Sequence, residues 1–410
     1  MSDNTALLLP EDEGAALSDD EIRRWRALPA RQQPDWLHDP QLEPARALLA
    51  TRPALVTADE VHTLHTLLAD VAHGRRQVLQ AGDCAEDPAE CAAKPVLRKA
   101  DLLDELADAL HARSGLPVLR VGRIAGQFAK PRSRPVEHHD GRELPVYYGH
   151  MVNAPEPDPA ARHPRPTRML TCHDAAATAM DTLRLRATDT ATPPATRTWT
   201  SHEALVLDYE LPQMRRDQDG RLLLTSTHWP WIGERTRQAD AAHVRLLASV
   251  SNPLSCKIGP GATPEDVLRL CALLDPDRTP GRLTLIARMG ADRVTTHLPA
   301  LVHAVRTAGH PVGWLTDPMH GNTVTTPAGR KTRHVDTIVQ EVLRFQDAVT
   351  AAGAHPGGLH LETTPHPVTE CLADARATHR ADGAYTTLCD PRLNPWQAHE
   401  VIRAWHAPTR

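Results

Sequence analysis

Short apolar runs that end in polar or glycine-containing clusters recur along the chain after residue 75. The eight runs are RQVLQAGDCAE, LPVLRVGRIAGQF, HEALVLDYE, STHWPWIGER, NPLSCKIGP, LTLIARMG, PVGWLTDPMHG and GGLHLETT. Buried parallel strands have short continuous apolar runs, and helical stretches between them indicate crossover units. The pattern predicts an α/β fold, a (β/α)8 barrel of the TIM type over residues 75–410. The third run is the weakest, because HEALVLDYE is equally compatible with a helix.

The residues before the barrel have helical patterns. SDDEIRRW offers Ser18 as an N-cap with acidic residues in the first turn, and residues 58–72 repeat apolar positions at helical spacing. We therefore predict a helical N-terminal extension over residues 18–74, after a disordered stretch at 1–17. Residues 154–198, rich in Pro, Asp, Thr and Arg, are predicted to form a surface excursion around a candidate helix.

Charge and hydropathy exclude several classes of partner. A formal net charge of -5 provides no basic surface for nucleic acid. No apolar run is long enough to span a bilayer, and the acidic start differs from a secretory signal. We expect a cytoplasmic protein with neither membrane nor nucleic-acid partners. The seven cysteines are scattered and odd in number, so thiols are expected.

The balance of basic residues is unusual. The chain has five lysines among 46 basic residues, and the rest are arginines. A lysine that persists against such a bias occupies a position where arginine does not substitute well, since the two differ in geometry and in how readily their pKa shifts. Three of the five, Lys130, Lys257 and Lys331, fall within motifs considered below.

Reactive side chains follow the predicted strands, at the end where barrel enzymes place their active sites. Cys84 follows the first strand and His320 the seventh, His360 and Glu362 share one face of the eighth, and Asp390 lies in the loop after it. Each residue alone is commonly a buried or solvated group. Together, a thiolate, an imidazole and two carboxylates suit Mn, Fe, Co or Zn.

A set of cations follows the same strands. Its members are Arg123, Lys130, Arg132, Arg235, Lys257 and Arg288. Arginine binds phosphate and carboxylate oxygens bidentately, and lysine acts as a compact donor or acid, so the set indicates a small polyanion. Surface arginines are abundant in this chain, but these lie in apolar or glycine-rich segments, where an unpaired charge is costly. No Walker or dinucleotide motif is present.

The ordered motifs resemble class II 3-deoxy-D-arabino-heptulosonate 7-phosphate (DAHP) synthases. The resemblance extends from about Arg24 to Val401 and rests on LPARQQPDW, QAGDCAE, RIAGQFAKPRS, SHEALVLDYE, WIGERTRQADAAH, NPLSCKIGP, PGRLTLIARMG, DPMHGNT, GRKTRHVD, GGLHLE, VTECL and CDPRLNP. It implies a (β/α)8 enzyme that joins phosphoenolpyruvate to erythrose 4-phosphate in the first step of the shikimate route.

The resemblance also implies roles for individual residues. The divalent metal, Mn²⁺ with Co²⁺ as the alternative, is held by Cys84, His320, Glu362 and Asp390. Phosphoenolpyruvate binds under Arg123, Arg235, Lys257 and Arg288 with Glu234 beside them, and Lys130, Arg132 and Ser133 hold the aldose phosphate. On chemical grounds we expect Lys257 or Lys130 to donate a proton, and Arg123 completes the candidate catalytic set. Cys84 and Cys389 match positions that form a disulfide in some members; here such a pair is expected to be reversible and to inhibit metal binding.

Two segments depart from the family pattern. Tyr147–His150 stand where the family usually has Tyr-Arg-Gly-Asp, and Thr364–Pro367 where it usually has Thr-Gly-Glu-Asn. Neutral drift explains both changes, and so does a different acceptor, such as an amino-substituted erythrose 4-phosphate of secondary metabolism.

The chain is also short before SHEALVLDYE, where residues 170–200 replace a longer helical segment of feedback-regulated members. This predicts weak or absent inhibition by aromatic amino acids and a small assembly, a homodimer. Two other hypotheses are a catalytically silent metal-binding paralogue, disfavoured because every matching position is filled, and a metal-dependent hydrolase, which needs fewer converging cations.

Overall fold

Eight parallel strands close into a barrel in a computed structural model that describes residues 17–139, 141–378 and 383–407. The strands are β1 Gln77–Gly82, β2 Val118–Arg123, β3 Thr198–Glu203, β4 Trp229–Ile232, β5 Leu254–Ile258, β6 Leu283–Ala287, β7 Gly313–Thr316 and β8 Pro356–Glu362. Each strand pairs with its neighbours in chain order, and β1 closes the barrel against β8. The predicted (β/α)8 fold is confirmed.

Helices surround the barrel and precede it. They are α1 Asp19–Arg26, α2 Leu42–Ala50, α3 Ala58–Ala72, α4 Ala93–Ser114, α5 Pro159–Arg162, α6 Arg168–Asp189, α7 Leu207–Glu210, α8 Ala242–Ser249, α9 Pro264–Leu274, α10 Val294–Thr307, α11 Val335–Ala351 and α12 Pro395–Arg403. Ser18 caps α1 as its sequence predicts, in a reciprocal capping box with Glu21. The disorder expected at 1–17 falls almost wholly outside the described residues.

Helix α3 lies against the end of the barrel opposite the predicted site. Its buried Leu64, Leu68 and Val71 pack in one cluster with Trp199 and Trp229 of the barrel strands. This apolar contact explains the helical periodicity of residues 58–72. The N-terminal extension therefore covers the amino-terminal ends of the strands and leaves their carboxyl ends for chemistry.

The third strand lies earlier than its predicted run. The strand is TWTSHE, and of HEALVLDYE only His202 and Glu203 belong to it, whereas Leu207–Glu210 form the short helix α7. Thr200, Ser201 and His202 are buried polar residues that bond to partners inside the protein. This strand does not form an apolar run, because three of its four buried side chains are polar and only Trp199 is apolar.

Residues 154–198 are not only a surface excursion. Helix α6 is 22 residues long and buries one face, with Met169, Cys172, Ala176 and Met180 in the cluster that also contains residues of α2 and α4. The flanking Pro-rich stretches carry exposed residues. The candidate helix of this segment is therefore present, and it packs against α2 and α4 instead of lying on the surface.

Three antiparallel hairpins complete the described fold. They pair Val136–His139 with Arg142–Pro145, Met214–Arg216 with Leu222–Leu224, and Thr323–Thr325 with Lys331–Arg333. Among the described residues, no helix is long and apolar enough to cross a membrane.

Candidate active site

A cavity of about 690 Å³ opens at the carboxyl ends of the barrel strands. Eleven of the twelve residues predicted for the site line it: Cys84, Arg123, Lys130, Arg132, Ser133, Glu234, Arg235, Lys257, Arg288, His320 and Asp390. The twelfth, Glu362, is fully buried and contacts three of them, Arg123, Lys130 and His320. The strands thus bring together residues that are up to 306 positions apart.

The four predicted metal ligands converge on one side of the cavity. Ligand atoms of Cys84, Glu362 and Asp390 all lie within 4.8 Å of one another. Nε2 of His320 lies 3.2 Å from Oε1 of Glu362. A sulfur, an imidazole nitrogen and two carboxylates at this spacing fit a borderline divalent cation.

Lys130 lies among the same ligands. Its Nζ is 2.5 Å from Sγ of Cys84, 2.6 Å from Oδ2 of Asp390 and 3.1 Å from Oε1 of Glu362. Burial opposes its charge, but the adjacent Asp390, Cys84 and Glu362 raise the pKa of Lys130. A second lysine, Lys331, reaches Oδ1 of Asp390 at 2.7 Å. Both ammonium groups are therefore held by the acidic side of the site.

Asp317, which is not among the predicted site residues, connects the two halves of the site. Its Oδ2 lies 2.7 Å from Nδ1 of His320 and 2.7 Å from Nζ of Lys257. Backbone N–H groups of Met319 and His320 donate to its Oδ1. Although burial opposes ionisation, His320 and Lys257 hold the pKa of Asp317 well below its usual range. The strand-end rule applied to TDPMH would have found it, because Asp317 follows β7 directly.

Arg123 is bound by the protein on almost every side. Its Nε donates to the Asp83 carbonyl at 2.8 Å, and Nη2 donates to the Cys84 carbonyl at 3.1 Å and to Glu362 at 3.2 Å. Nη1 lies 2.7 Å from Nε2 of His360. One Nη1 hydrogen is left for a ligand, so the bidentate contact expected of an arginine is not available here.

Arg333 is also not among the predicted site residues, although it lies in the GRKTRHVD motif. It is fully buried, and its Nη1 donates to Oε2 of Glu362 at 2.7 Å. Glu362 thereby pairs with Arg123, Lys130 and Arg333. Although burial opposes ionisation, His320, Lys130 and Arg333 hold the pKa of Glu362 well below its usual range. The carboxylate stays ionised, as a metal ligand requires.

The remaining predicted cations lie around the cavity mouth. Nη2 of Arg235 donates to Oγ of Ser133 at 2.6 Å, and the backbone N–H of Arg132 donates to Oε1 of Gln32 at 2.7 Å. Arg288 donates to the His320 carbonyl at 3.1 Å. Glu234 accepts from the backbone N–H of Gly259 at 2.6 Å. These contacts fix the loops and leave guanidinium groups toward the cavity.

Glu203, at the carboxyl end of β3, also lines the cavity. Among the described residues its carboxylate has no hydrogen-bond or ion-pair partner, and its Oε1 is buried. Burial raises its pKa, against the nearby charges of Lys257 and Arg235. Gly233 makes room for it, because a Cβ there would lie 2.0 Å from Oε1. Glu203 is therefore a carboxylate without a partner among the described residues, near the cations Lys257 and Arg235.

Two histidines that distinguish the chain from its family pattern do not line the cavity. Nε2 of His150 lies 3.7 Å from Oδ2 of Asp87, and the imidazole packs edge-on against Tyr147. His366 donates from its backbone N–H to Oγ1 of Thr364. Neither contact reaches the cavity, so the geometry does not connect these histidines with the choice of acceptor.

Cys84 and Cys389 are both buried free thiols that pack with Tyr147. A hydrogen bond from Cys84, with the charges of Arg132 and Lys130, lowers the pKa of Cys389 to about 7. A thiol of this kind is partly ionised at neutral pH. Their pairing under oxidising conditions stays a prediction.

Comparisons with known proteins agree with this geometry. A family model described as "Class-II DAHP synthetase family" matches residues 20–193 and 185–404. A "Probable phospho-2-dehydro-3-deoxyheptonate aldolase" of Pseudomonas fluorescens is 51% identical over 394 residues, covering 95% of this chain and 98% of that protein.

More distant relatives carry the same name. A phospho-2-dehydro-3-deoxyheptonate aldolase of Streptomyces coelicolor is 39% identical over 428 residues, covering 92% of this chain and 94% of its own length. One of Mycolicibacterium smegmatis is 39% identical over 429 residues, with coverages of 92% and 91%. The solved structure of a phospho-2-dehydro-3-deoxyheptonate aldolase from Francisella tularensis SCHU S4 matches with a TM-score of 0.53 at 13% identity, covering 88% of this chain and 96% of that chain. At that identity it supports the fold alone.

Proposed function

Because the chain belongs to the class-II DAHP synthetase family, we propose that it condenses phosphoenolpyruvate with erythrose 4-phosphate and water, releasing DAHP and phosphate. The observation that carries this function is the single cavity onto which a mixed-donor ligand set and a group of cations converge. Two phosphorylated, anionic substrates need such a group of cations. The aldehyde of the acceptor needs a Lewis acid near its oxygen, which makes its carbon more electrophilic.

We propose that Cys84, His320, Glu362 and Asp390 hold a divalent metal, Mn²⁺ with Co²⁺ as the alternative. The donor set fits this group, since carboxylates and imidazole suit Mn²⁺ and a thiolate suits the softer Co²⁺. When bound by these residues, such a cation would supply Lewis-acid polarisation of the aldehyde oxygen of the acceptor. Nζ of Lys130 lies among the proposed metal ligands, close enough to contact an aldehyde substrate that is bound at this metal site.

The cations divide between two substrates. Arg123, Lys257 and Arg288 take the phosphate and carboxylate of phosphoenolpyruvate, with Arg235 and Glu234 beside them, while Lys130, Arg132 and Ser133 take the aldose phosphate. C3 of phosphoenolpyruvate attacks the aldehyde carbon, and Lys130 or Lys257 donates a proton. Fixed charges that hold both substrates in line supply orientation and electrostatic stabilisation.

The second half of the reaction needs a proton acceptor. Water adds to C2 of the former phosphoenolpyruvate, loses a proton, and phosphate leaves. We assign the role of proton acceptor to Glu203, because it is the cavity-lining carboxylate that has no partner among the described residues. A carboxylate with a raised pKa accepts a proton more readily than an ordinary one near neutral pH.

We further propose a role in secondary metabolism with little feedback inhibition, and a homodimeric assembly. The family model matches in two segments that overlap at residues 185–193, at the end of α6. The alignments to the Streptomyces and Mycolicibacterium proteins extend over 428 and 429 positions, more than the 410 residues of this chain. The alignment lengths support extra residues in those relatives, and the overlap of the family-model matches supports a place just before β3 for a segment that is shorter here.

The function is tested by mixing metal-stripped, reduced protein with phosphoenolpyruvate and erythrose 4-phosphate, with and without Mn²⁺. We expect Mn²⁺-dependent loss of phosphoenolpyruvate absorbance and equimolar phosphate release. Phosphoenolpyruvate consumption with an amino-substituted aldose but not with erythrose 4-phosphate would establish the alternative acceptor. No consumption with either, in folded protein that binds Mn²⁺, would indicate a silent paralogue.

A further inference from the structure

A line of buried polar side chains crosses the barrel beneath the cavity. It runs from Nη1 of Arg123 to Nε2 of His360 at 2.7 Å, and from Nδ1 of His360 to Oε1 of Gln80 at 2.7 Å. It continues from Nε2 of Gln80 to Oγ of Ser201 at 3.0 Å, and from that hydroxyl to the Gly122 carbonyl at 3.0 Å. All four side chains are at most 2% exposed.

The two ends of this line determine the direction of every hydrogen bond in it. A guanidinium only donates, so Nε2 of His360 must accept and carry no proton. The imidazole hydrogen is then on Nδ1 and is donated to Gln80. The Gln80 amide donates in turn to Ser201, whose hydroxyl donates to a carbonyl that only accepts. Each group has one arrangement that satisfies both neighbours, so His360 is neutral and in one tautomer.

The line also returns to where it starts, because Gly122 directly precedes Arg123 on β2. The side chain of Arg123 and the backbone before it are therefore tied through β1, β3 and β8. The Trp231 ring adds to this support, because it packs edge-on against His360. Cζ of Arg123 lies over the same ring, 5.1 Å from the ring centroid. Together these contacts hold the guanidinium in one plane, with a single N–H for a ligand.

We propose that His360, held as its Nδ1–H tautomer by Gln80 and Ser201, is a positioning residue that fixes Arg123 for phosphoenolpyruvate. The proposal rests on the proposed function, and it goes beyond it by assigning a role to residues that do not line the cavity. Its basis is the donor-only guanidinium at one end of the line and the acceptor-only carbonyl at the other. A misplaced guanidinium would weaken the binding of one substrate and leave the other nearly unchanged.

The tautomer is measured first, on folded protein without substrates. In the ¹⁵N spectrum of protein labelled at histidine, the signals lost in His360→Gln identify His360. We expect a protonated Nδ1 and an unprotonated Nε2 at pH 7, the reverse of the preference of free histidine. A protonated Nε2, or a doubly protonated ring, would overturn the proposal, whatever the enzyme activity.

The binding role is measured by titrating phosphoenolpyruvate into His360→Leu and His360→Gln in a calorimeter. Leucine cannot accept from Arg123, so we expect the Kd for phosphoenolpyruvate to rise about 10- to 100-fold, as misplacement of a substrate-holding group does. Glutamine offers an oxygen at a similar reach and should restore most of the affinity. The KM for erythrose 4-phosphate should change by less than about threefold in both variants.

A matched control is His228→Leu, which removes another buried barrel histidine, one that bonds Thr200 and does not line the cavity. It should lose stability and keep its affinity for phosphoenolpyruvate. Equal loss of affinity in His228→Leu and His360→Leu, or no rescue by glutamine, would reduce His360 to a packing role and overturn the proposal. A wild-type protein that binds phosphoenolpyruvate but forms no DAHP would instead refute the proposed function.

Discussion

At the scale of single residues, Asp317 carries the clearest prediction. Its carboxylate orients His320 through Nδ1 and holds Lys257 with the same oxygen. A carboxylate behind a metal-binding histidine fixes the tautomer and the ring orientation, and its loss typically reduces metal affinity about 10- to 100-fold. We therefore expect Asp317→Asn to weaken Mn²⁺ binding by that factor, measured by electron paramagnetic resonance of free Mn²⁺.

The same variant tests whether Asp317 also acts on the phosphoenolpyruvate side. Without its charge Lys257 loses an ion pair, and the affinity for phosphoenolpyruvate in metal-free protein should change as well. Asp275→Asn, a buried acid away from the cavity, is the control for lost stability. Unchanged Mn²⁺ affinity in Asp317→Asn would show that His320 does not depend on this carboxylate.

Glu203 carries a prediction about turnover. Replacing it by glutamine keeps its size and removes its basicity, so we expect kcat to fall about 10²- to 10⁴-fold while the KM for phosphoenolpyruvate changes little. The base acts when ionised, and burial raises its pKa above the ordinary value of 4.5. Wild-type activity should therefore decline as the pH falls through that raised pKa. Glu137→Gln, a cavity carboxylate bound to Arg162, should keep near-normal kcat.

The residues that sequence could predict are those that end apolar strands. Cys84, Arg123, Lys257 and His320 each follow or end such a run, and the barrel rule alone places them together. Asp317 was equally close to a strand end, but its neighbour His320 is a more conspicuous metal ligand. Glu203 was missed for a different reason, because the boundary of its strand was misplaced. That its carboxylate has no partner among the described residues depends on three-dimensional packing, which sequence spacing does not reveal.

At the scale of elements, the errors have one physical source. Strand β3 and helix α6 both bury surfaces that composition does not mark as core: the strand buries Thr200 and Ser201, and the helix buries small residues such as Ala176 and Ala179. Large apolar residues identify β6 better, because Leu283, Leu285 and Ile286 of that strand are all buried. Small and polar core residues become recognisable only with their partners.

Helix α6 makes the fold sensitive to acid through His173. This histidine is 2% exposed, and burial lowers its pKa to about 4. Below pH 6.5 the unfolded chain binds a proton at this position that the folded chain does not bind until the pH nears 4, so folding stability falls over that window. The contribution amounts to about 2 kcal/mol between pH 7.5 and pH 5.

We expect His173→Leu to remove that part of the acid sensitivity. Urea unfolding of wild type and variant at pH 7.5 and pH 5 gives the difference directly, since groups common to both proteins cancel. His303→Leu, an exposed position on α10, should leave the wild-type dependence intact. Equal pH dependence in wild type and His173→Leu would mean that the helix admits water around the imidazole.

At the scale of the whole molecule, the barrel could be predicted from the recurrence of strand-like apolar runs. The position of the N-terminal extension could not be predicted in this way. Eight strand-like runs separated by helices leave few topologies, because crossover connections have one handedness. The contact of α3 with the end of the barrel depends on matching apolar surfaces from distant parts of the chain. That same arrangement leaves the carboxyl ends open, where the cavity lies.

The proposed metal ligands lie across the seam where the barrel closes, so the binding of a metal by them would depend on the whole fold. Cys84 follows β1, Glu362 ends β8 and His320 follows β7, three strands that are adjacent in the barrel. Mn²⁺ at one hundred times its Kd should therefore stabilise the folded protein by about 2.7 kcal/mol. Thermal unfolding with Mn²⁺ and with a chelator measures this, and Cys84→Ser should fold yet lose most of the shift. A shift of wild-type size in Cys84→Ser would place the bound metal elsewhere.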